Sequence, residues 1–378
     1  MHAQIVIPRA NSGVPTLRPA WLLVFLVWTA ACSGAKSGVG LSEEFGHWET
    51  QALGAGGRID AVCDFGDGAV ICATRKPDPG RVFLSEDYGA HWRELDSPTR
   101  NAITCLAARS RQVFYLLTDQ AEVFGTADGG VTWRSLRPPS PNRNRRGAAA
   151  AYGLMVTSQG TLLTNDTNSD GGHIYRSTDD GVTWSDLGIV SSDALYRFMR
   201  VGNGIVLNGF EGSVYKSIDD GRTWNRQQKL GDSALFATEY IGGLYVLQAD
   251  QAGRIFRSVN LGERWEEVAA LGGSADDFID LGYGAVVYST YTENRYVYLS
   301  LNYGKDWANL GQVPSGTSGD WLDHGLRLDA PDFVVVIAGT GQGNIVRQVI
   351  PRKRLYEVTK SAHQGGVPDL PAAAGAQL

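Results

Sequence analysis

From residue 58 onward the chain is cut into short runs of five to eight residues rich in apolar side chains, separated by Gly, Asp, Asn and Ser. Runs of this length, broken by turn residues and lacking a 3.6-residue period, predict β-strands. The first four fall at 58–65, 69–75, 81–85 and 91–95. The inner two are the most apolar, as a sheet packed on both faces requires. The same four-run layout recurs at 101–136, 147–187, 192–227, 233–268 and 276–310. Residues 321–328, 333–339 and 344–349 supply three further runs.

Each complete set closes on one eight-residue phrase, Ser/Thr-x-Asp/Asn-x-Gly-x-x-Trp. Its copies are Ser85-Asp87-Gly89-Trp92, Thr126-Asp128-Gly130-Trp133, Ser177-Asp179-Gly181-Trp184, Ser217-Asp219-Gly221-Trp224, Ser258-Asn260-Gly262-Trp265 and Ser300-Asn302-Gly304-Trp307. The steps between tryptophans are 41, 51, 40, 41 and 42 residues. A period near 40 with four strands per unit predicts an all-β protein, a β-propeller of four-stranded antiparallel blades. A single blade cannot bury its own faces, so the blades must stack into one body. Phe45-Gly46-His47-Trp48-Glu49 carries the second half of the phrase, and Trp48 precedes Trp92 by 44 residues, one period. Strand 47–53 is therefore expected to complete the C-terminal blade, giving seven blades and a closed ring without exposed sheet edges.

The phrase resembles the Asp-box, or BNR repeat, of the sialidase-like superfamily, and the resemblance covers nearly all of 45–350. It implies a scaffold role for these residues. Asp and Ser side chains bond backbone N–H groups in the turn, Gly accepts positive φ, and Trp packs between blades. A catalytic acid needed once would not recur in every blade. The Gly-x-Ile/Val-Tyr/Phe-Arg/Lys-Ser segments leading into the boxes are similar to the photosystem II assembly-factor type of seven-bladed propeller. That similarity implies a non-catalytic domain that binds a protein or glycan through its rim and central mouth, in envelope assembly or recognition. The alternative is a sialidase-like exo-glycosidase using rim carboxylates. Against it, Arg58-Ile59 is followed by Asp60 where sialidases carry Pro, and no arginine triad emerges.

The N-terminus changes the picture of where the domain works. Arg9 and Arg18 precede the apolar run Ala20 to Trp28, followed by Thr29-Ala30-Ala31-Cys32. A basic flank, a short apolar core and small residues before a cut define a secretory leader. Cys32 after Ala-Ala resembles the bacterial lipobox, with Thr29 where that pattern has Leu, and so is expected to carry lipid. The expected organisation is a signal peptide over 1–31, a linker over 32–44, the propeller over 45–350 and a disordered tail over 351–378. The protein is then exported, monomeric and lipid-anchored at the periplasmic face of the outer membrane or at the cell surface. A net charge of -6 argues against a nucleic-acid partner.

The Asp-box resemblance implies that candidate chemistry lies on the face opposite the boxes. Rim candidates are Arg81, Arg143, Arg145, Arg146, Glu211, Arg254 and Arg295, with Asp276 and Asp277 in an inter-blade loop. Inner strands add Arg58, Asp60, Arg197, Arg200, Asp280 and Arg327. Asp166, Asn168 and Asp170, followed by Gly171, match the opening of a calcium loop, although Ser177 stands where the twelfth-position Glu belongs. The other reading of that segment is a polar hairpin tip. No other cofactor is expected. Cys63 and Cys72 flank Asp67-Gly68, and a two-residue turn there would set them face to face for a disulfide.

Overall fold

The computed structural model describes residues 45, 48–75, 80–138, 151–168, 171–291, 295–312 and 321–364. It contains seven antiparallel sheets of four strands each, the seven-bladed β-propeller expected from the repeat. Six blades are built from consecutive strands; blade 1 starts with Ile59–Asp64 and blade 6 with Ala275–Gly282. Blade 7 runs outward from Leu322–Asp329 through Phe333–Thr340 and Asn344–Pro351 to Glu49–Ala52. Glu49 faces Arg347 and Ala52 faces Asn344, so the N-terminal strand closes the ring as expected.

The core is divided among the interfaces between blades. Ile59, Val70 and Phe83 of blade 1 pack on Val335, Ile337 and Ile345 of blade 7. Equivalent clusters join every neighbouring pair, so each sheet is buried on both faces. The phrase tryptophans lie in these seams, Trp92 between blades 7 and 1 and Trp265 between blades 4 and 5. Trp48 occupies the seam between blades 6 and 7 with Phe45, although its phrase is incomplete. Gly89 shows why the phrase needs glycine. Its φ is +74°, and a Cβ there would stand 2.5 Å from Ile337 of the preceding blade.

Two expectations are corrected. Residues 352–363, placed in the disordered tail, form helix α1 (Arg352–His363). Leu355, Val358 and Thr359 share one helical face and are buried, the first two in the cluster between blades 6 and 7. Tyr356 and His363 pack on Tyr283 and Tyr303 of blade 6. That docking holds a segment whose composition alone would not fold. The second correction is the cysteine pair. Phe65 N–H donates to Ala69 O at 3.0 Å, so the turn has three residues, with Gly66 and Gly68 both at positive φ. Cys72 then faces Val62, and Cys63 faces Ile71. A one-residue slip turns the side chains to opposite faces of the sheet, and both thiols are free. Burial pushes the Cys63 thiol up to about 12.

Candidate functional site

Strand register decides which loops share a face. Ile59 pairs with Thr74, so inner strands begin beside the turns that join second and third strands. Val70 pairs with Asp64 and Ser85, which puts the phrase at the opposite end. There the six copies repeat one geometry. The Gly N–H donates to the Ser or Thr hydroxyl at 2.8–3.0 Å. The Asp or Asn Oδ1 accepts the backbone N–H four residues on at 2.8–2.9 Å. Hydroxyl donation from Thr132 and Thr183 draws Asp128 and Asp179 down to about 2. These carboxylates are committed to turns. The next residue adds a cross-blade lock in blade 4. Asp220 accepts from Thr157 and Thr161 of blade 3 at 2.5 Å and pairs with Arg176 at 2.7 Å.

At the other end all seven inner strands converge. In each, a buried apolar residue precedes a second residue near the strand start, Asp60, Thr104, Tyr152, Tyr196, Phe236, Asp276 and Asp323 in blades 1 to 7. Phe236 lines the central cavity, and in the other six blades the next residue does: Ala61, Cys105, Gly153, Arg197, Asp277 and His324. In six blades the register slips by one residue at this point. A bulge of this kind bends the strand and re-aims its side chains. Asp277 and His324 therefore line the cavity, while Asp276 and Asp323 stand buried beside them.

The ring has two unlike halves. Blades 3 to 5 supply half-buried aromatic rings: Tyr196 lies 5.2 Å from Tyr152, 5.7 Å from Phe210 and 5.5 Å from Phe236. Blades 6, 7 and 1 supply carboxylates. Arg58 donates to both oxygens of Asp323, approaches Asp60 at 2.9 Å and Asp276 at 3.5 Å, while Arg75 reaches Asp60 at 3.3 Å. Arg197 donates to the backbone carbonyl of Asp60 at 3.1 Å. Between the halves lies a cavity of about 190 Å³ lined from all seven blades, with Phe236, Asp277 and His324 among its walls. Wider clefts of about 460 and 640 Å³ lie between blades 1 and 2 and blades 2 and 3, where the charged groups pair across blades.

Burial dominates the electrostatics of the acidic half. It raises Asp277 to about 7, against the Gly325 N–H that donates to its carboxylate at 3.0 Å. It raises Asp323 to about 6 against the pull of Arg58. Asp276 and Glu239 are pushed well above the usual carboxylate range by burial and neighbouring carboxylates. His324 is held well below its ordinary value by burial and by Arg197, Arg58 and Arg75, which leaves a neutral imidazole. Asp60, Asp323 and His324 present ligand atoms within 4.8 Å of one another, the spacing of a metal-binding trio.

No family model and no curated protein matches the chain. Solved propellers do. YCF48 bound to a D1 peptide superposes with a TM-score of 0.62 at 14% identity, over 79% of this chain and 96% of that one. Virginiamycin B lyase from Staphylococcus aureus, a catalytically inactive variant with quinupristin, gives 0.66 at 11% identity, over 80% and 99%. A GH74 xyloglucanase from Xanthomonas campestris gives 0.59 at 17% identity, over 79% of this chain and 53% of its own. The likeness is one of fold. Binders and enzymes stand side by side in it, so function rests on the mouth itself.

Among the described residues, the rim candidates singled out in the sequence are not brought together. Arg81 pairs with Glu94 at 2.6 Å, Arg254 with Asp250 at 2.6 Å, and Arg295 lies 5.4 Å from the Trp321 ring. Glu211 donates its N–H to Asp193 at 2.8 Å. Cys32, Arg143, Arg145, Arg146 and Asp170 lie outside the described residues. Asp166 is buried in the blade 3 hairpin, where it accepts the Tyr175 hydroxyl at 3.1 Å, and Asn168 pairs with Gly171. Of the inner-strand candidates, Arg58, Asp60 and Arg197 do converge. Asp280 and Arg327 pair with each other at 2.8 Å, and Arg200 is exposed. Sequence reasoning missed Tyr152, Tyr196, Phe210, Phe236, Asp323 and His324. The signal is positional for four of them: Tyr152, Tyr196, Phe236 and Asp323 each follow a buried apolar residue near the start of an inner strand, and aligning the repeats on that residue would have brought these four into one column.

Proposed function

We propose that this protein is a non-catalytic recognition domain, exported by its leader, anchored through lipid on Cys32, and gripping a protein segment in the mouth of the ring. The observation that carries this reading is the cluster of half-buried rings Tyr152, Tyr196, Phe210 and Phe236, of which Phe236 lines the cavity, across the ring from the charged half. Rigid aromatic rings of this kind offer large contact area at little entropic cost, and such residues dominate interface energetics. The charged half gives the partner orientation, because Arg58 and Arg75 are fixed by carboxylates and do not have to be ordered on binding. The fold of YCF48 with its bound D1 peptide supports a peptide-sized occupant.

A second reading rests on Asp277, which lines the cavity and titrates at about 7, where a general acid of a glycoside hydrolase would. One experiment separates the two. Envelope extract is passed over immobilised protein, a Tyr196→Ala/Phe236→Ala variant and an Asp277→Asn variant, alongside a panel of aryl-glycosides. We expect no turnover, and a retained partner whose affinity falls about 30-fold or more in the aromatic variant. Glycoside turnover abolished by Asp277→Asn would replace recognition with hydrolysis.

A further inference from the structure

We propose that Asp60, Asp323 and His324 form a site for a zinc-class divalent cation at the centre of the acidic half-ring. The trio joins blade 1 to blade 7, where the chain's two ends close the ring, and it stands apart from the recognition reading.

His324 is the observation that points to a ligand. It is only 4% exposed, and among the described residues neither ring nitrogen has a hydrogen-bond partner. Burying two unsatisfied imidazole nitrogens costs free energy that a fold does not retain without some return. The ring is not in an apolar pocket. Nε2 lies 3.5 Å from Asp323 Oδ1 and 3.9 Å from Asp60 Oδ1, and Nδ1 lies 3.6 Å from Asp277 Oδ2. These separations are too long for hydrogen bonds. They are close to those of atoms sharing one ion: ligands about 2.0–2.2 Å from zinc stand roughly 3.3–3.5 Å apart in a tetrahedron. A shift of a few tenths of an ångström brings Asp60 into range.

Charge balance favours a cation. Four carboxylates, from Asp60, Asp276, Asp277 and Asp323, crowd the site, and the guanidinium groups of Arg58 and Arg75 reach them. Arg197, whose Nη2 donates to the carbonyls of Asp60 and Thr104, adds a third positive charge against the four carboxylates. Asp276 Oδ2 also lacks a hydrogen-bond partner among the described residues. Arg58 bridges Asp60 and Asp323 and so orients both first ligands, the part usually played by groups behind a metal's own ligands. The imidazole nitrogen biases this ligand set towards zinc-class ions over magnesium or calcium. Because His324 lines the cavity, the site adjoins it.

The test uses the purified protein stripped with EDTA and titrated with Zn²⁺ and with Co²⁺, which reports tetrahedral coordination by its visible absorption. We expect one saturating equivalent, a rise in Tm, and the absorption bands of a four-coordinate Co²⁺ site. His324→Gln and Asp60→Asn should each weaken Zn²⁺ binding about 100-fold or more, while Asp166→Asn, in the blade 3 hairpin, should leave it unchanged. His324→Gln removes no hydrogen bond, so its unliganded Tm should match that of the parent and keep the comparison valid. Absence of stoichiometric binding in the folded parent, or binding undiminished in His324→Gln, would overturn the site.

Discussion

Asp179 and Asp277 both sit near strand ends, yet their surroundings drive them in opposite directions. Asp179 is exposed and accepts from Thr183 and a backbone N–H, so its folded value falls to about 2 from 3.8. Asp277 is buried, and its value rises to about 7. A depressed carboxyl stabilises above its unfolded value, and that contribution is lost as pH falls through the folded value. The turns at Asp128, Asp179 and Asp219 should therefore loosen between pH 4 and pH 1.5. Those at Asn260 and Asn302 keep the same Oδ1 bond without a titrating group and should not. Site-resolved amide exchange across that range checks the difference, and uniform loosening would contradict it. Asp220 is the costlier residue. Asp220→Ala strands Arg176 and two threonine hydroxyls between blades 3 and 4, and should cost about 3 kcal/mol in urea unfolding. Asp219→Asn, which retains the Oδ1 acceptor, should cost under about 1 kcal/mol by the same measurement.

Elements were legible where a residue pattern repeats and illegible where a single event decides. Six blades carry the same apolar runs and the same turn phrase, and the seventh keeps the second half of it at Trp48, so strand order and the closing strand Glu49–Ala52 follow from spacing. The turn at Gly66-Asp67-Gly68 occurs once. Two glycines there allow a third loop residue, and that slip sends Cys63 and Cys72 to opposite faces. Helix α1 has only Leu355, Val358 and Thr359 buried, too few to stand out against the Gly-, Pro- and Ala-rich sequence that follows. Its stability comes from the cluster it covers, where Leu355 meets the core that holds Phe45 and Trp48. Leu355→Ala should cost about 2–4 kcal/mol and Tyr356→Ala, on the exposed side, under about 1 kcal/mol. If the two cost the same in denaturant unfolding, α1 does not seal the closure between blades 6 and 7.

At the scale of the whole molecule, closure creates the site. Arg58 and Asp323 are 265 residues apart and meet because blade 7 packs on blade 1. Repeat spacing predicts that such a meeting occurs. It does not say which side chains arrive, because bulges at the strand starts decide that. Hence the blade count and the ring closure were readable, while of the site only Arg58, Asp60, Arg197, Asp276 and Asp277 were. The ring that results is aromatic over blades 3 to 5 and acidic over blades 6, 7 and 1, a two-sided funnel on one face. The opposite face presents the phrase turns, with single apolar residues such as Ile218, 77% exposed.

The most direct measurement places one photo-crosslinking side chain at Phe236, in the mouth, or at Ile218, on the phrase-bearing face, in the protein as it sits in its own envelope. Recognition through the mouth requires a discrete adduct from position 236, weakened by Tyr196→Ala, and none from position 218. An adduct formed from position 218 with position 236 silent would contradict it, and would move the working surface to the turns of the repeat.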